Sequence, residues 1–425
     1  MFNVKDLTMT TRPRFTIEPS SQTLAIITSP HQLTVQFISL QSSFDSFTVS
    51  ASDFNSSSPF TSVCVFQENS SKELFCTLAN LDKALYIYDI QKRELINELR
   101  TKKRIMASLH VEQTHKLYFA DKFGDVWSLD EKRMREKPPM EKPKQQKGKK
   151  SRDFAHTDDN DNMTLELGHL ATLTDMALSS DGKFLITADR DEKIRVSHFP
   201  KTHEIWSFCL GHKQCVTCVA EVDVPGTDSR ALVSSSLDGT LKVWEYSNEY
   251  KPLRFTHTVQ EGAYPVLVRS LGNFVAVCNE KANEIQYFAL HENYELLPLE
   301  GVKLNLHSEV LHFEFVQNGE YLMVLVADAP NVRVYRVKKQ GENVNPALVF
   351  EQDSDKYDNV THVSFELKAD SDTYISSMKK ANPNDLAGRH KRGKDDEKKE
   401  DEKKEVEKEE TVAQEAAAEE KALEG

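Results

Sequence analysis

Hydrophobic and polar residues alternate along most of the chain in short bursts, each closed by a turn. In one stretch Met176-Ala-Leu-Ser alternates, Ser180-Asp-Gly turns, Phe184-Leu-Ile-Thr alternates, Asp191-Glu turns, and Ile194-Arg-Val alternates again. Period-two alternation bounded by Asp and Gly predicts half-buried antiparallel strands joined by tight turns. The same phrase recurs. Strand-like segments follow a turn at 33–37 (LTVQF), 85–89 (LYIYD), 126–130 (VWSLD), 194–198 (IRVSH), 241–245 (LKVWE), 285–289 (IQYFA) and 332–336 (VRVYR). Start-to-start spacings are 52, 41, 68, 47, 44 and 47 residues, and the long one contains a polar insertion of 22. A period of about 40–50 residues with four strands per unit is the sequence signature of a β-propeller.

Two units carry explicit punctuation. Gly168-His169 and Gly211-His212 lie 43 residues apart, and Trp244-Glu245 closes the second unit where a WD dipeptide belongs. Asp238 in the turn is placed to orient the histidine, whose other nitrogen can reach a strand hydroxyl and then the Trp244 indole. A buried network of this kind is tolerated only when every member is paired. In the preceding unit Ser197-His198 stands in place of Trp-Asp, so the chain of bonds must end differently there. The expected architecture is all-β: a seven-bladed WD40-type β-propeller over 1–370, carrying a basic insertion (131–162) and a charged tail (371–425). Residues 345–367, with ALVF and VTHVSFEL, are candidates for strands that close the ring and remove an exposed edge.

Charge changes the picture in two places. The net charge is −13, yet 131–152 carries a net +7 and 389–425 a net −4, leaving a strongly acidic body. Such a body repels phosphate backbones at long range, so any RNA contact must come from a local basic patch or a partner. The insertion, with three prolines and almost nothing apolar, reads as a disordered loop. KGKKSR within it and RHKRGK at 389–394 fit either solvated charge or a nuclear-import or RNA-contact patch. The tail has helix formers and Glu-to-Lys pairs such as Glu400 and Lys404 but no apolar stripe, so it reads as solvated and partly helical or disordered. The longest apolar run, Tyr321 to Ala327, is far short of the roughly 20 residues that cross a bilayer. With no apolar leader and six sparse cysteines, the expected setting is a reducing one, cytosol or nucleus.

Catalytic chemistry has little to stand on. No G-x-G, phosphate-cradling lysine loop, G-x-S-x-G or H-E-x-x-H occurs. Cys209, His212, Cys215 and Cys218 have a metal-like spacing. However, residues three apart on a strand face opposite sides, and His212 already belongs to the Gly-His pair, so packed thiols are the expectation and no metal. No catalytic residue is assigned.

Residues 165–212, LELGHLATLTDMALSSDGKFLITADRDEKIRVSHFPKTHEIWSFCLGH, resemble the WD-repeat, non-catalytic subunit of the eukaryotic tRNA (guanine-N7)-methyltransferase. The run 187–197, with its Ser197, is the most specific part. Ala120 to Val126 and SSSLDGTLKVWEY at 234–246 extend the likeness over about 118–246. The resemblance implies a nuclear accessory subunit that adds no catalytic group. It would stabilise a separate catalytic subunit, which holds S-adenosylmethionine and methylates a guanine in the tRNA variable loop. The other class of reading is a generic nuclear WD-repeat scaffold, such as a ubiquitin-ligase substrate receptor or a ribosome-assembly factor. The resemblance places the partner contact at Arg190, Asp191, Lys193 and Arg195, with Lys193 and Arg195 expected to project from the face opposite Ile194 and Val196. Candidate contacts for tRNA held by the complex are Arg100, Lys102, Lys103 and Arg104, and Lys147, Lys149 and Lys150 in the insertion.

Overall fold

Period-two alternation and turns at Asp, Asn and Gly fold the chain into consecutive antiparallel strands, here in a computed structural model. The structure describes residues 15–18, 23–29, 34–39, 47–136, 163–247, 252–259, 261–316, 319–328, 332–340 and 347–352. Among these there is no α-helix, only short 3-10 turns, and hence no helix long and apolar enough to cross a membrane. The strands run from β1 (Phe15–Glu18) to β28 (Ala347–Gln352). They group into seven sheets, over residues 15–50, 60–100, 105–168, 173–210, 216–258, 265–305 and 310–352, each a four-stranded meander of neighbours in sequence.

The sheets are variations on one plan. The pairing of first with second strand shifts register at Phe60/Ser62, Leu173/Asp175, Val216/Cys218, Pro265/Leu267 and Val310/His312. A bulge at the same place in successive units bends and twists each innermost strand alike. All the third-strand segments found by periodicity lie in third strands: β3 (Thr34–Ser39), β7 (Ala84–Asp89), β11 (Asp125–Asp130), β15 (Lys193–His198), β19 (Thr240–Trp244), β23 (Glu284–Leu290) and β27 (Val332–Gln340).

Packing joins the sheets in sequence order. Apolar cores fill the junctions between sheets consecutive in sequence; Phe37 and Val49 meet Tyr86 and Tyr88 at the first, and Ala289 and Leu304 meet Phe313 and Val324 at the last. Among the described residues there are six such blade-to-blade units. The expectation of seven blades counted third strands; the described residues hold seven four-stranded sheets, and six cores join each sheet to the next in sequence. Every described sheet is built from four neighbours in sequence. ALVF enters β28 beside β27, while VTHVSFEL, the insertion from 137 to 162 and the tail from 371 lie outside the described residues.

Candidate partner-docking rim and its basic neighbour

In the five sheets between residues 60 and 305 the second and third strands meet in a tight turn, and these turns, with the loops linking one sheet to the next, form one rim. In the fifth sheet the turn holds the network expected from the sequence. The His212 Nδ1–H donates to Asp238 Oδ2 at 3.0 Å, the Ser234 hydroxyl donates to His212 Nε2 at 2.7 Å, and the Trp244 indole N–H donates to Ser234 Oγ at 2.7 Å. This sequence of donors requires a neutral imidazole, and burial pushes the His212 pKa down accordingly. Burial alone would raise the Asp238 carboxyl, yet its bonds to His212, Thr240 and the Lys213 amide outweigh that and hold it well below the usual carboxylate range.

The fourth sheet uses different residues. The His169 Nδ1–H donates to Asp189 Oδ2 at 3.1 Å, and Thr187 Oγ1 lies 2.7 Å from Nε2. Asp191, aligned with Asp238, is not the histidine's partner; Asp189, two residues earlier, takes that place and also accepts the Lys193 amide at 2.9 Å. Sequence reasoning missed Asp189. Its signal was the Asp or Asn that ends several second strands: Asn80 accepts the Ala84 amide and Asp121 the Phe123 and Asp125 amides. Asp191 is thereby released to the rim, where it faces Arg190 Nε at 3.5 Å with both side chains about a third exposed. Lys193 is exposed and donates its ammonium to the Asp191 carbonyl at 3.1 Å. Glu192 completes the turn in the left-handed region at φ 78°, as Gly239 does in the fifth sheet.

Arg195 departs from expectation. It does lie opposite Ile194 and Val196, but it is only 7% exposed. Its Nε donates to Ser197 Oγ at 2.8 Å, its Nη1 to the Gly168 carbonyl at 3.2 Å and its Nη2 to the Thr202 carbonyl at 2.9 Å. Alternation gives the face of a strand and not what covers it; here the end of β12 (Met163–Gly168) and the loop at Thr202 close over the guanidinium. Ser197, where a tryptophan is usual, supplies an acceptor in place of an indole. The picture of Arg195 projecting outward is therefore corrected: it is a strut beneath the rim, tying the third sheet to the fourth.

The basic loop between β8 (Glu94–Arg100) and β9 (Ile105–Val111) sits on the same rim, one sheet away. Arg100 pairs with Glu98 at 2.6 Å. The Lys102 ammonium lies 5.7 Å from the Trp127 ring centre and that of Lys103 lies 3.9 Å from the Phe123 ring centre. The Arg104 carbonyl accepts the Lys122 amide at 2.8 Å. Trp127 donates its indole N–H to Asp121 Oδ2 at 3.2 Å, and with Thr101, Lys102, Lys103, Ile105 and Met163 it lines a shallow cleft.

Lys147, Lys149 and Lys150 lie outside the described residues, but the departure point of their segment is fixed. It lies at the opposite end of the third sheet from the 101–104 loop, since Asp130 pairs with Lys116 whereas Ile105 pairs with Asp121. There Glu131 is buried and accepts from His110 Nε2 at 2.6 Å, Arg135 grips Glu68 with two bonds of 2.6 and 3.1 Å, and Asn97 holds the Met134 and Glu136 carbonyls. The two basic candidates are thus rooted on opposite edges of one sheet.

The cysteines of the metal-like spacing divide among separate cores: Cys209 packs with Val216 and Trp244, Cys218 with Val268 and Val277, and Cys215 with Leu237 and Val266. Among the described residues no three His, Cys, Asp or Glu side chains are grouped to hold a metal.

Repeating four-stranded sheets with the Asp–His–Ser–Trp network define a WD40-type β-propeller. At the level of fold alone this is echoed by a chain in the crystal structure of the mitotic checkpoint complex, which superposes with a TM-score of 0.57 at 13% identity, covering 77% of this chain and 90% of that one. The family model described as the tRNA methyltransferase TRM82 WD40 domain matches residues 133–350, half of the chain, and the protein belongs to that family. Among its relatives, tRNA (guanine-N(7)-)-methyltransferase non-catalytic subunit WDR4 of Homo sapiens is 34% identical over 172 residues, 40% of this chain and 35% of that protein. The wdr4 protein of the same description from Danio rerio is 31% identical over 234 residues, 53% of this chain and 50% of that one. The chain thus spans about a third to a half of the length of these relatives.

Proposed function

We propose that the protein is a non-catalytic accessory subunit of a tRNA (guanine-N7)-methyltransferase and that it binds and stabilises a separate catalytic subunit. The observation that carries this is the family match over 133–350, which contains the whole turn from Asp189 to Lys193. The relatives bear the same description, non-catalytic subunit of that methyltransferase. In this reading S-adenosylmethionine belongs to the partner, tRNA is met through the complex, and the site of action is the nucleus. Arg190, Asp191 and Lys193 make the outward contacts, and Arg195 supports them from below.

A rigid sheet suits this work, because pre-ordered side chains lose little entropy on docking. Charged contacts that become desolvated against a partner cost about 2–5 kcal/mol when one member is removed, against about 0.2–1 kcal/mol for a pair left exposed. The test is co-expression with the catalytic subunit and affinity capture. Reversal at both Arg190→Glu and Lys193→Glu is expected to reduce capture at least tenfold, with the isolated chain still folded. Undiminished capture would remove the rim from the interface.

A further inference from the structure

The corner where the second sheet hands over to the third brings a cluster of cations and an exposed aromatic ring together. Four cations, Lys102, Lys103, Arg104 and Lys122, sit in two short segments locked together by the bond from the Lys122 amide to the Arg104 carbonyl. Between them Phe123 stands at the tip of a turn, 58% exposed, with the Lys103 ammonium over its ring. A phenylalanine in that position gives up the burial that ordinarily accounts for its place in a sequence. The turn beneath it is firm. Gly124 has φ +103°, and a Cβ there would come within 2.5 Å of the Ala171 carbonyl and 2.6 Å of that of His169, so the Phe123 turn is pressed against the following loop. Lys103 also lines the cleft that holds Trp127, whose indole is fixed by Asp121 while Lys102 lies across its face.

Aromatic rings on a rigid base, interleaved with ammonium groups, are the elements from which proteins grip single-stranded nucleic acid: bases stack on the rings and phosphates meet the cations. A cation already held over a ring is pre-positioned, so less freedom is lost when a phosphate arrives. Charge decides between polyanion and protein as the occupant. In a chain of net charge −13, Lys103 over the exposed ring, with Lys102 and Lys122 in the same two segments, complements phosphate better than it complements an apolar docking surface.

We infer that this corner is a binding site for an unpaired RNA nucleotide, the base stacking on Phe123 and its flanking phosphates held by Lys102, Lys103 and Lys122. It deepens the reading of the protein as a tRNA-methyltransferase subunit, giving the subunit an RNA contact of its own beside the docking rim. The site reads no sequence, since every base offers a ring face and the cations meet backbone.

The test uses the full chain and a fluorescent ten-residue oligouridylate, with unmodified tRNA as a second probe, followed by anisotropy across a salt series. Phe123→Ala is expected to weaken oligouridylate binding about tenfold, the loss of one stacked base. Lys102→Ala with Lys103→Ala is expected to flatten the slope of log K against log salt by roughly 0.7 for each phosphate no longer neutralised. Both variants should still capture the catalytic subunit. Unchanged affinity and slope in both variants overturn the site. So does loss of capture with RNA binding intact, which would make the corner a protein contact. Because the isolated chain is titrated, failure of the wild type to assemble with a catalytic subunit would sink the proposed function and leave this result standing.

Discussion

Replacing Arg195 separates support of the rim from contact at the rim. Arg195→Glu removes a guanidinium that donates to Ser197 Oγ, the Gly168 carbonyl and the Thr202 carbonyl. It leaves a carboxylate, which at neutral pH donates nothing, facing two carbonyl oxygens in a space that is nearly closed to water. Breaking a buried charged arrangement on one side costs about 3–5 kcal/mol, and each orphaned buried acceptor contributes about 1–3 kcal/mol of that. Arg195→Met keeps most of the packing and adds no charge, so about 2–3 kcal/mol is expected, from the unmet acceptors alone. Lys193→Glu, exposed at the start of the same strand, should stay within about 0.5 kcal/mol of wild type. Urea unfolding of the purified chain, followed by tryptophan fluorescence and fitted for midpoint and slope, measures all three. If Arg195→Glu unfolds at the wild-type midpoint, the strut assignment is wrong and Arg195 belongs among the outward contacts. If it is destabilised as expected, weak capture of a partner by that variant reports folding, whereas weak capture by Lys193→Glu reports contact.

Ser234→Ala strips both the His212 Nε2 and the Trp244 indole N–H of their shared partner inside the sheet; a loss of about 2–4 kcal/mol is expected by urea unfolding, and a loss below about 0.5 kcal/mol would show that the network is incidental. Stability should also fall as the solution is acidified. The His212 pKa is depressed in the folded state, so its contribution is complete above the unfolded value of about 6.5 and is lost as pH falls through the folded one. Asp189 and Asp238 are depressed too, so theirs is complete above about 4 and lost below it. Unfolding at pH 7.5 and 5.5 should show the drop, and His212→Asn should make it shallower; greater stability at pH 5.5 would contradict the neutral-imidazole network.

Strand rhythm and the Gly-His, Asp and Trp marks were enough to place the third strands, the fifth-sheet network and the propeller itself, because period-two burial and buried polar pairing both leave traces in one dimension. Packing was less legible, because which faces of two sheets share a core depends on surfaces that meet only in three dimensions. Arg195 shows the same limit on a smaller scale: alternation put it opposite Ile194 and Val196, and only the fold brought Gly168 and Thr202 over it. Asp189 was hidden by alignment, since Asp191 stands at the position of Asp238. In the fifth sheet Ser236 occupies the place of Asp189, so the later aspartate reaches the histidine there. Phe123 enters the sequence reading only within the family-like run Ala120 to Val126. An aromatic at the tip of a turn, flanked by Lys122 and Gly124, has nowhere to be buried, and that was the available signal.

The central claim is that the propeller serves a methyltransferase whose chemistry it does not perform, and methyl transfer tests it most directly. Labelled methyl groups from S-adenosylmethionine are followed into unmodified tRNA with the chain alone, the catalytic subunit alone and the two together. The account predicts strong transfer to guanine N7 only when both are present, and none from the chain alone. Transfer by the isolated chain, or a catalytic subunit indifferent to its addition, would contradict it.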